Sequence, residues 1–264
     1  MPPVLPPIRL EAEVYQRELM GSHDALLVRA RGESGLVDCV IKLSERLGEN
    51  PLPYLCEWTA TAVARELGIH VPDPFVVKIG RAFAGSLPVG ALRRDALASN
   101  DTAFGCRYMN GYVQWSTAVG VHAEQRDAAS LLFAFDVLAH NYDRKETNPN
   151  LMVKREDVLA IDHDLAFEFV YPPGRVSPGT DPRRDVVDTH AFRSPLKGKL
   201  SDLAEFRERV GQLSDEWLQS LEAATPAEWK VGRGRDVLAS ILAVLALRRD
   251  HLEEWLQQVE VWME

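Results

Sequence analysis

The chain has 264 residues, enough for one large domain or for two parts that share a cleft. Hydrophobic residues make up 46% and charged residues 26%, as in ordinary globular proteins, and a net charge of -9 disfavours direct nucleic-acid binding, which rewards clustered Lys and Arg. Cys39, Cys56 and Cys106 are too widely spaced to predict a disulfide framework or a zinc ribbon. The first residues lack the pattern of a signal peptide and no apolar run is long enough to span a bilayer, so we expect a cytoplasmic protein without a membrane partner.

The first third of the chain predicts strands and one helix. The predicted strands are residues 8–19, 25–30, 38–43 and 71–79, with a turn at 21–24. Residues 54–67 have the 3.6-residue apolar period of a helix, and Gly68 is a suitable residue to end it. This part is therefore expected to be β-rich with one helix.

From about residue 127 the pattern becomes mainly helical. The predicted helices are residues 128–140, 201–210, 214–223 and 236–260, and a long loop is predicted over 171–199. Residues 151–153 and 158–161 predict two short strands around a charged turn. The whole pattern predicts an α+β fold with a β-rich first part and a mainly helical body that carries one hairpin.

Polar residues at the ends of the predicted hairpin indicate a metal site. Asn148 precedes its first strand and Asp162 follows its second, so pairing of the strands would bring the two side chains about one strand spacing apart. Amide and carboxylate oxygens are suitable ligands for Mg²⁺. Asp143 lies on the segment that enters the hairpin, within reach of the same point.

The spacing of these residues also matches the needs of phosphoryl transfer, which uses a metal, a carboxylate that orients the attacking hydroxyl and a cation on the other phosphates. Asp143 and Asn148 have the D-x-x-x-x-N spacing of a kinase catalytic loop, and Asp162 follows nineteen positions after Asp143. Lys42, at the end of Val-Ile-Lys, and Glu57, early in the following helix, would supply the cation and its partner. The alternative is an edge-strand lysine and a solvated helix residue.

Several segments together resemble the HipA-like kinase domain family. They are residues 39–42, 50–51, 57–58, 67–72, 104–107, 141–151, 161–167 and 225–229. The most specific of them is N-x-D-R-x-x-x-N-P-N-L over 141–151, and the likeness covers nearly the whole chain. It implies a two-lobed protein-kinase-like fold with ATP between the lobes, which would divide the chain into an N-lobe of residues 1–108 and a C-lobe of residues 109–264.

The resemblance implies a role for each matched polar residue. Asp143 would be the catalytic base, and Asn148 and Asp162 would be the magnesium ligands. Lys42, held in place by Glu57, would contact the phosphates of ATP.

The resemblance also implies where the rest of the nucleotide binds. Residues 106–109, with Arg107, Tyr108 and Met109, would form the hinge beside adenine. The chain has no G-x-G-x-x-G motif, and Gly21 and Ser22 form the glycine-containing turn at the place of the phosphate-binding loop.

Four further polar residues lie close to this motif. Asp164 stands where the family often has glycine, and its carboxylate would either strengthen metal binding or face solvent. His140 and His163 would orient neighbours by hydrogen bonds, in preference to binding a metal. Asp136 would either anchor backbone amides of the catalytic segment or face outward from its helix.

Four functions remain open from the sequence. The first is a kinase that phosphorylates serine or threonine of a protein partner, and the others are a catalytically weak pseudokinase-like binding module, a small-molecule phosphotransferase, and a metal-dependent phosphohydrolase built on His140, His163 and Asp164. The resemblance also implies a toxin-antitoxin role with a neutralising or regulatory partner protein. Acceptor specificity would lie in residues 80–100 and 171–199.

Overall fold

The computed structural model describes residues 2–19, 24–48, 52–171 and 181–264. Among these residues the strands are β1 (Ile8–Glu18), β2 (Leu26–Gly32), β3 (Gly35–Ile41), β4 (Pro74–Lys78), β5 (Thr102–Arg107), β6 (Val113–Gln114), β7 (Leu151–Lys154) and β8 (Asp157–Ala160). The α-helices are α1 (Ser44–Leu47), α2 (Leu52–Glu66), α3 (Arg81–Ser86), α4 (Ala91–Ala98), α5 (Arg126–Leu138), α6 (Arg184–Thr189), α7 (Arg193–Leu196), α8 (Ala204–Gly211), α9 (Asp215–Ala224), α10 (Gly234–Asp250) and α11 (Leu252–Met263). A β-rich first part precedes a mainly helical part, which confirms the predicted α+β class.

Strands β1 to β5 form a closed barrel with the order β1-β2-β3-β5-β4. The parallel pairing of β1 with β4 closes it, while the other neighbouring strands are antiparallel. Alternation along the strands buries residues such as Leu10, Val28 and Ile41. A Cβ atom at position 105 would lie 2.7 Å from Cγ2 of Val77, so Gly105 leaves room for this side chain of the neighbouring strand β4.

The prediction of a single helix in the first part of the chain is wrong. Helices α1, α3 and α4 accompany α2 there, and α3 and α4 lie within residues 80–100, where acceptor specificity was expected. These helices are only four to eight residues long, so a periodic apolar signal hardly develops in them. In α4 it is reduced to Leu92 and Ala96, which are four residues apart and both buried.

Helix α2 is buried on all sides between the barrel and the C-terminal helices. Every residue from Leu52 to Ala64 is buried, as expected for a helix that is apolar around most of its circumference. Trp58 Nε1 donates to Thr225 Oγ1 at 2.9 Å, which joins α2 to the segment that follows α9. After α2, Gly68 has a φ of 78°, the left-handed conformation that glycine adopts readily at a helix end. These contacts fix the position of Glu57, which α2 carries.

The helical part differs from the sequence prediction in two places. The helix predicted over 236–260 is two helices, α10 and α11, separated at His251. No glycine or proline marks this break. Both helices pack on α8, but α10 also packs on α2 and α9 whereas α11 packs on α6, so the two segments follow partly different surfaces. The loop predicted over 171–199 contains α6 and α7 in its described portion.

The predicted β7–β8 hairpin is confirmed, and β6 adds a third antiparallel strand to it. No helix in the described ranges combines the length and apolarity needed to cross a membrane. The division predicted between residues 108 and 109 falls in the segment that joins β5 to β6, and it remains a prediction.

Candidate active site

A cavity of about 450 Å³ lies between the barrel and the β7–β8 hairpin. Its volume is in the range of small-molecule binding sites. The predicted site residues that line it are Lys42, Glu57, Arg107, Tyr108, Met109, Asn148 and Asp162. Its apolar lining includes Val40, Phe104, Leu151 and Ile161. Gly21 and Ser22, the predicted phosphate-binding turn, lie outside the described residues.

Lys42 lies at the centre of an ion cluster beside this cavity. Lys42 directly follows strand β3, Glu57 lies on helix α2, and Asp162 and Asp164 lie on the segment after β8. Lys42 Nζ lies 3.0 Å from Glu57 Oε1 and 2.8 Å from Asp164 Oδ2, and it also donates to Asp162 Oδ1. The alternative of an edge-strand lysine with a solvated glutamate is therefore wrong, because the side chains of both residues are largely buried.

The protonation of this cluster follows from burial and from the excess of carboxylates. Burial disfavours the charge of Lys42, but the three carboxylates outweigh it and hold the lysine pKa well above its usual value. Burial raises the pKa of Glu57 to about 7, against the opposing charge of Lys42. Burial and the neighbouring carboxylates likewise raise the pKa of Asp162.

Asp143 accepts two amide hydrogen bonds on the same oxygen. Nδ2 of Asn148 and Nδ2 of Asn150 donate to its Oδ2 at 2.8 and 3.0 Å. Its pKa is raised by burial and then by the charges of Asp162 and Asp164. A carboxylate with a raised pKa that is held in a fixed orientation is suited to accept a proton from a hydroxyl group.

Asp136 anchors the segment that carries Asp143, but it does so through side-chain donors and not through the backbone amides that were predicted. Asp136 is fully buried on α5, where its Oδ1 accepts from Asn141 Nδ2 at 2.8 Å. Its Oδ2 accepts from Arg144 Nε and from His190 Nε2, the latter at 3.0 Å. Arg144 and His190 hold the pKa of Asp136 at about 2 although burial opposes this.

Arg144 connects the same segment to both ends of the hairpin. Its guanidinium donates to the carbonyl oxygen of Asn150 at 2.6 Å, to that of Ile161 at 3.3 Å and to His163 Nδ1 at 3.2 Å. Asp162 has a φ of 60°, a conformation that aspartate tolerates better than most residues. Arg144 therefore positions the residues next to Asn148 and Asp162.

The two histidines near the motif contact arginines. His163 Nδ1 accepts from Arg144 Nη2. His140 lies against the guanidinium of Arg248, with its Nε2 2.8 Å from Arg248 Nη2. Burial, followed by the neighbouring arginine, lowers the pKa of His140 to about 2 and that of His163 to about 3. Both are therefore neutral, and their contacts agree with the predicted orienting role.

The residues predicted to form the hinge also line the cavity. The side chain of Arg107 is directed to Asp73, with Nε 2.8 Å from Oδ2, and its backbone N–H donates to the carbonyl oxygen of Asp73 at 2.9 Å. Arg17 Nη2 donates to Tyr108 Oη at 3.3 Å, and Arg17 also lines the cavity. Arg17 was not predicted, because a single arginine on an exposed strand has no distinguishing pattern.

The residues at the hairpin ends offer oxygen atoms of the kind that bind a divalent metal. The carboxylate of Asp143 accepts from Asn148 Nδ2, which leaves the oxygen of that amide available as a ligand. Asp162 lines the same cavity and its side chain is 23% exposed. Within the described ranges, Glu57, Asp162 and Asp164 also have carboxylate oxygens within 4.8 Å of one another, and Lys42 binds all three of them.

Three other residues of the site were not assigned a role from the sequence. Arg144 and Asn150 belong to the quoted motif, so a charged and an amide side chain beside Asp143 were the available signal. His190 lies 54 positions from Asp136, in a segment predicted to be a loop, and no sequence pattern points to it.

The comparisons with known proteins agree with this geometry. The model of the family described as HipA-like kinase matches residues 40–262 of the 264-residue chain. A direct search of curated proteins gives no match. Membership of a kinase family implies phosphotransfer from ATP with a divalent metal. The matched range contains Lys42, Glu57, Asp143, Asn148 and Asp162. The chain belongs to the HipA-like kinase family.

Proposed function

We propose that this protein is an ATP- and magnesium-dependent kinase that transfers the γ-phosphate to a hydroxyl acceptor, a serine or threonine of a protein partner. The observation that carries the proposal is that Lys42, Asn148 and Asp162 meet at one cavity. Asp143 lies beside them and accepts a hydrogen bond from Asn148 Nδ2. Family membership supports phosphotransfer in general.

The contacts of each residue support a specific role. Asp143, held by two amides, accepts the proton of the attacking hydroxyl. Lys42, paired with Glu57, binds the phosphate oxygens of the nucleotide. Asn148 and Asp162 would hold magnesium, which when bound neutralises negative charge on the phosphate oxygens.

The proposed kinase has a two-lobed arrangement of the chain. Residues 1–108, with the barrel, would act as an N-lobe and residues 109–264 as a C-lobe. ATP would bind in the cavity between them with its base beside residues 106–109. We also propose that the protein is cytoplasmic and that a neutralising or regulatory partner protein binds it.

The contacts support a phosphohydrolase less well. His140 and His163 are directed to arginines, and burial keeps both neutral. The cluster of potential metal ligands found in the described ranges consists of three carboxylates without a histidine. A kinase therefore accounts for more of the site.

The decisive experiment measures transfer and binding separately. Purified protein is incubated with magnesium and γ-labelled ATP in the presence of a mixed library of serine- and threonine-containing peptides. We expect labelling by the wild type and a loss of about 10²–10⁴-fold in Asp143→Asn, with Mg·ATP binding retained in calorimetry. Binding without transfer would identify a pseudokinase-like module, transfer only to small hydroxyl compounds a small-molecule phosphotransferase, and absence of Mg·ATP binding would overturn the proposal.

A further inference from the structure

The number of hydrogen-bond donors on Lys42 limits what it can bind. A lysine ammonium has three N–H donors. Glu57 Oε1 takes one at 3.0 Å, Asp164 Oδ2 takes another at 2.8 Å, and Asp162 Oδ1 accepts as well. Three carboxylates therefore occupy three donors, and a nucleotide phosphate must replace one of them to reach Lys42.

The three carboxylates differ in their position relative to the cavity. Glu57 and Asp162 belong to the cavity lining, whereas Asp164 does not. The side chain of Asp164 is only 4% exposed, compared with 23% for Asp162. Asp164 thus contacts Lys42 from outside the cavity lining.

The backbone holds Asp164 in this position. Its main-chain oxygen accepts from Tyr171 Oη, and the neighbouring His163 N donates to Glu57 Oε2 at 2.9 Å. Glu57 is thus fixed by two partners, Lys42 and His163. Asp164 adds a further carboxylate to this pair, with its Oδ2 2.8 Å from Lys42 Nζ.

We propose that Asp164 competes with nucleotide phosphate for Lys42 and thereby lowers the affinity of the protein for the phosphates of ATP and ADP. This inference rests on the proposed function. Asp164 would thereby determine the affinity for nucleotide. With Asp164 present, a phosphate that binds Lys42 replaces one of the existing contacts of the lysine. With glycine at this position, the phosphate would add a contact without replacing one. A residue that helped to bind the metal would have the opposite effect on nucleotide affinity.

The test measures ADP and adenosine binding by calorimetry in EDTA, where no metal can contribute. We expect Asp164→Gly to bind ADP about tenfold or more tightly than the wild type, the effect of one charge-assisted hydrogen bond. Asp164→Asn should gain less, because its amide oxygen still accepts from Lys42. Adenosine, which has no phosphate, should bind equally to all three proteins.

A matched control separates this contact from a general effect of charge. Asp24 lines the same cavity but is exposed, and its φ of 41° suits asparagine. Asp24→Asn removes one negative charge from the cavity, and we expect it to leave the preference for ADP over adenosine within about twofold of the wild type.

Each outcome decides the inference. ADP affinity that is unchanged or weaker in Asp164→Asn and Asp164→Gly overturns it, and so does an equal gain in Asp24→Asn. If melting temperatures show that Asp164→Gly does not fold, Asp164→Asn decides alone. A wild type that fails to bind ADP even with magnesium overturns the proposed function, whereas one that binds it while the Asp164 variants gain nothing overturns only this inference.

Discussion

The side-chain amide of Asn148 donates to the carboxylate of Asp143 at 2.8 Å. An ionised carboxylate only accepts hydrogen bonds, so this contact sets the orientation of the amide, with nitrogen toward Asp143 and oxygen directed elsewhere. Asn148 also lines the cavity with Asp162. One side chain therefore links the proposed base to the proposed metal site.

Replacing Asn148 should change the magnesium requirement. In Asn148→Ala a ligand oxygen is lost, so we expect the magnesium concentration for half-maximal nucleotide binding to rise roughly tenfold or more. Titration of magnesium at fixed ADP, followed by calorimetry, measures this. Asn150→Gly is the matched control, since Asn150 also donates to Asp143 but is not a proposed ligand, and its φ of 48° is open to glycine. An equal shift in both variants would contradict the assignment.

Replacing Lys42 should destabilise the fold. Lys42→Met leaves three neighbouring carboxylates without their cation, and removing one partner of a buried ion pair costs about 3–5 kcal/mol. Lys42 lowers the pKa of Glu57, which is about 7 in the wild type, so in the variant this pKa is higher and proton uptake by Glu57 should reduce the loss at and below neutral pH. Urea unfolding measures the change. The double variant Lys42→Met with Asp164→Asn should recover part of the stability, and failure to do so would mean that the carboxylates do not repel one another appreciably.

Replacing Asp136 should loosen the segment that carries Asp143. Asp136→Asn leaves the buried Arg144 without a carboxylate partner, and we expect a loss of about 3–5 kcal/mol in the free energy of unfolding. The exposed Asp101→Asn serves as the control and should stay within about 0.5 kcal/mol of the wild type. Equal stability of the two variants in urea unfolding would show that the Asp136 network does not stabilise the fold.

The buried neutral histidine His140 should make stability depend on pH. Its pKa is about 2 in the folded protein, from burial and then the charge of Arg248, and 6.5 is its ordinary value. Below about pH 6.5 the unfolded chain therefore binds a proton that the folded protein does not, so stability falls as pH falls. The difference in unfolding free energy between wild type and His140→Asn should change by about 1.4 kcal/mol per pH unit between pH 6 and 4. A difference independent of pH would mean that His140 is protonated in the fold.

The elements that the sequence predicted well have a long local period or a clear alternation. Strand β1, helix α2 and helix α5 begin and end within a few residues of their predicted positions. Helices α3 and α4 were missed because they are too short to show a period. The break between α10 and α11 was missed because it depends on the surfaces that each helix packs against.

The candidate site also contains some contacts that the sequence predicted and others that it left open. Asn148 and Asp162 were expected to lie near each other because they flank one hairpin, whose pairing is a local property, and both line the cavity. Their proposed roles remain predictions. The contact of Asp164 with Lys42 spans 122 positions, and the sequence left open whether Asp164 binds a metal or faces solvent.

By itself, the sequence determined which chemical groups are present and how they are spaced along one loop and one hairpin. Only the tertiary structure decided that three carboxylates share one lysine, and that His190 supports Asp136. The physical reason is that such contacts join elements far apart in the chain, and their geometry depends on how whole helices and strands pack. The local periodicity of the sequence carries no information about that packing.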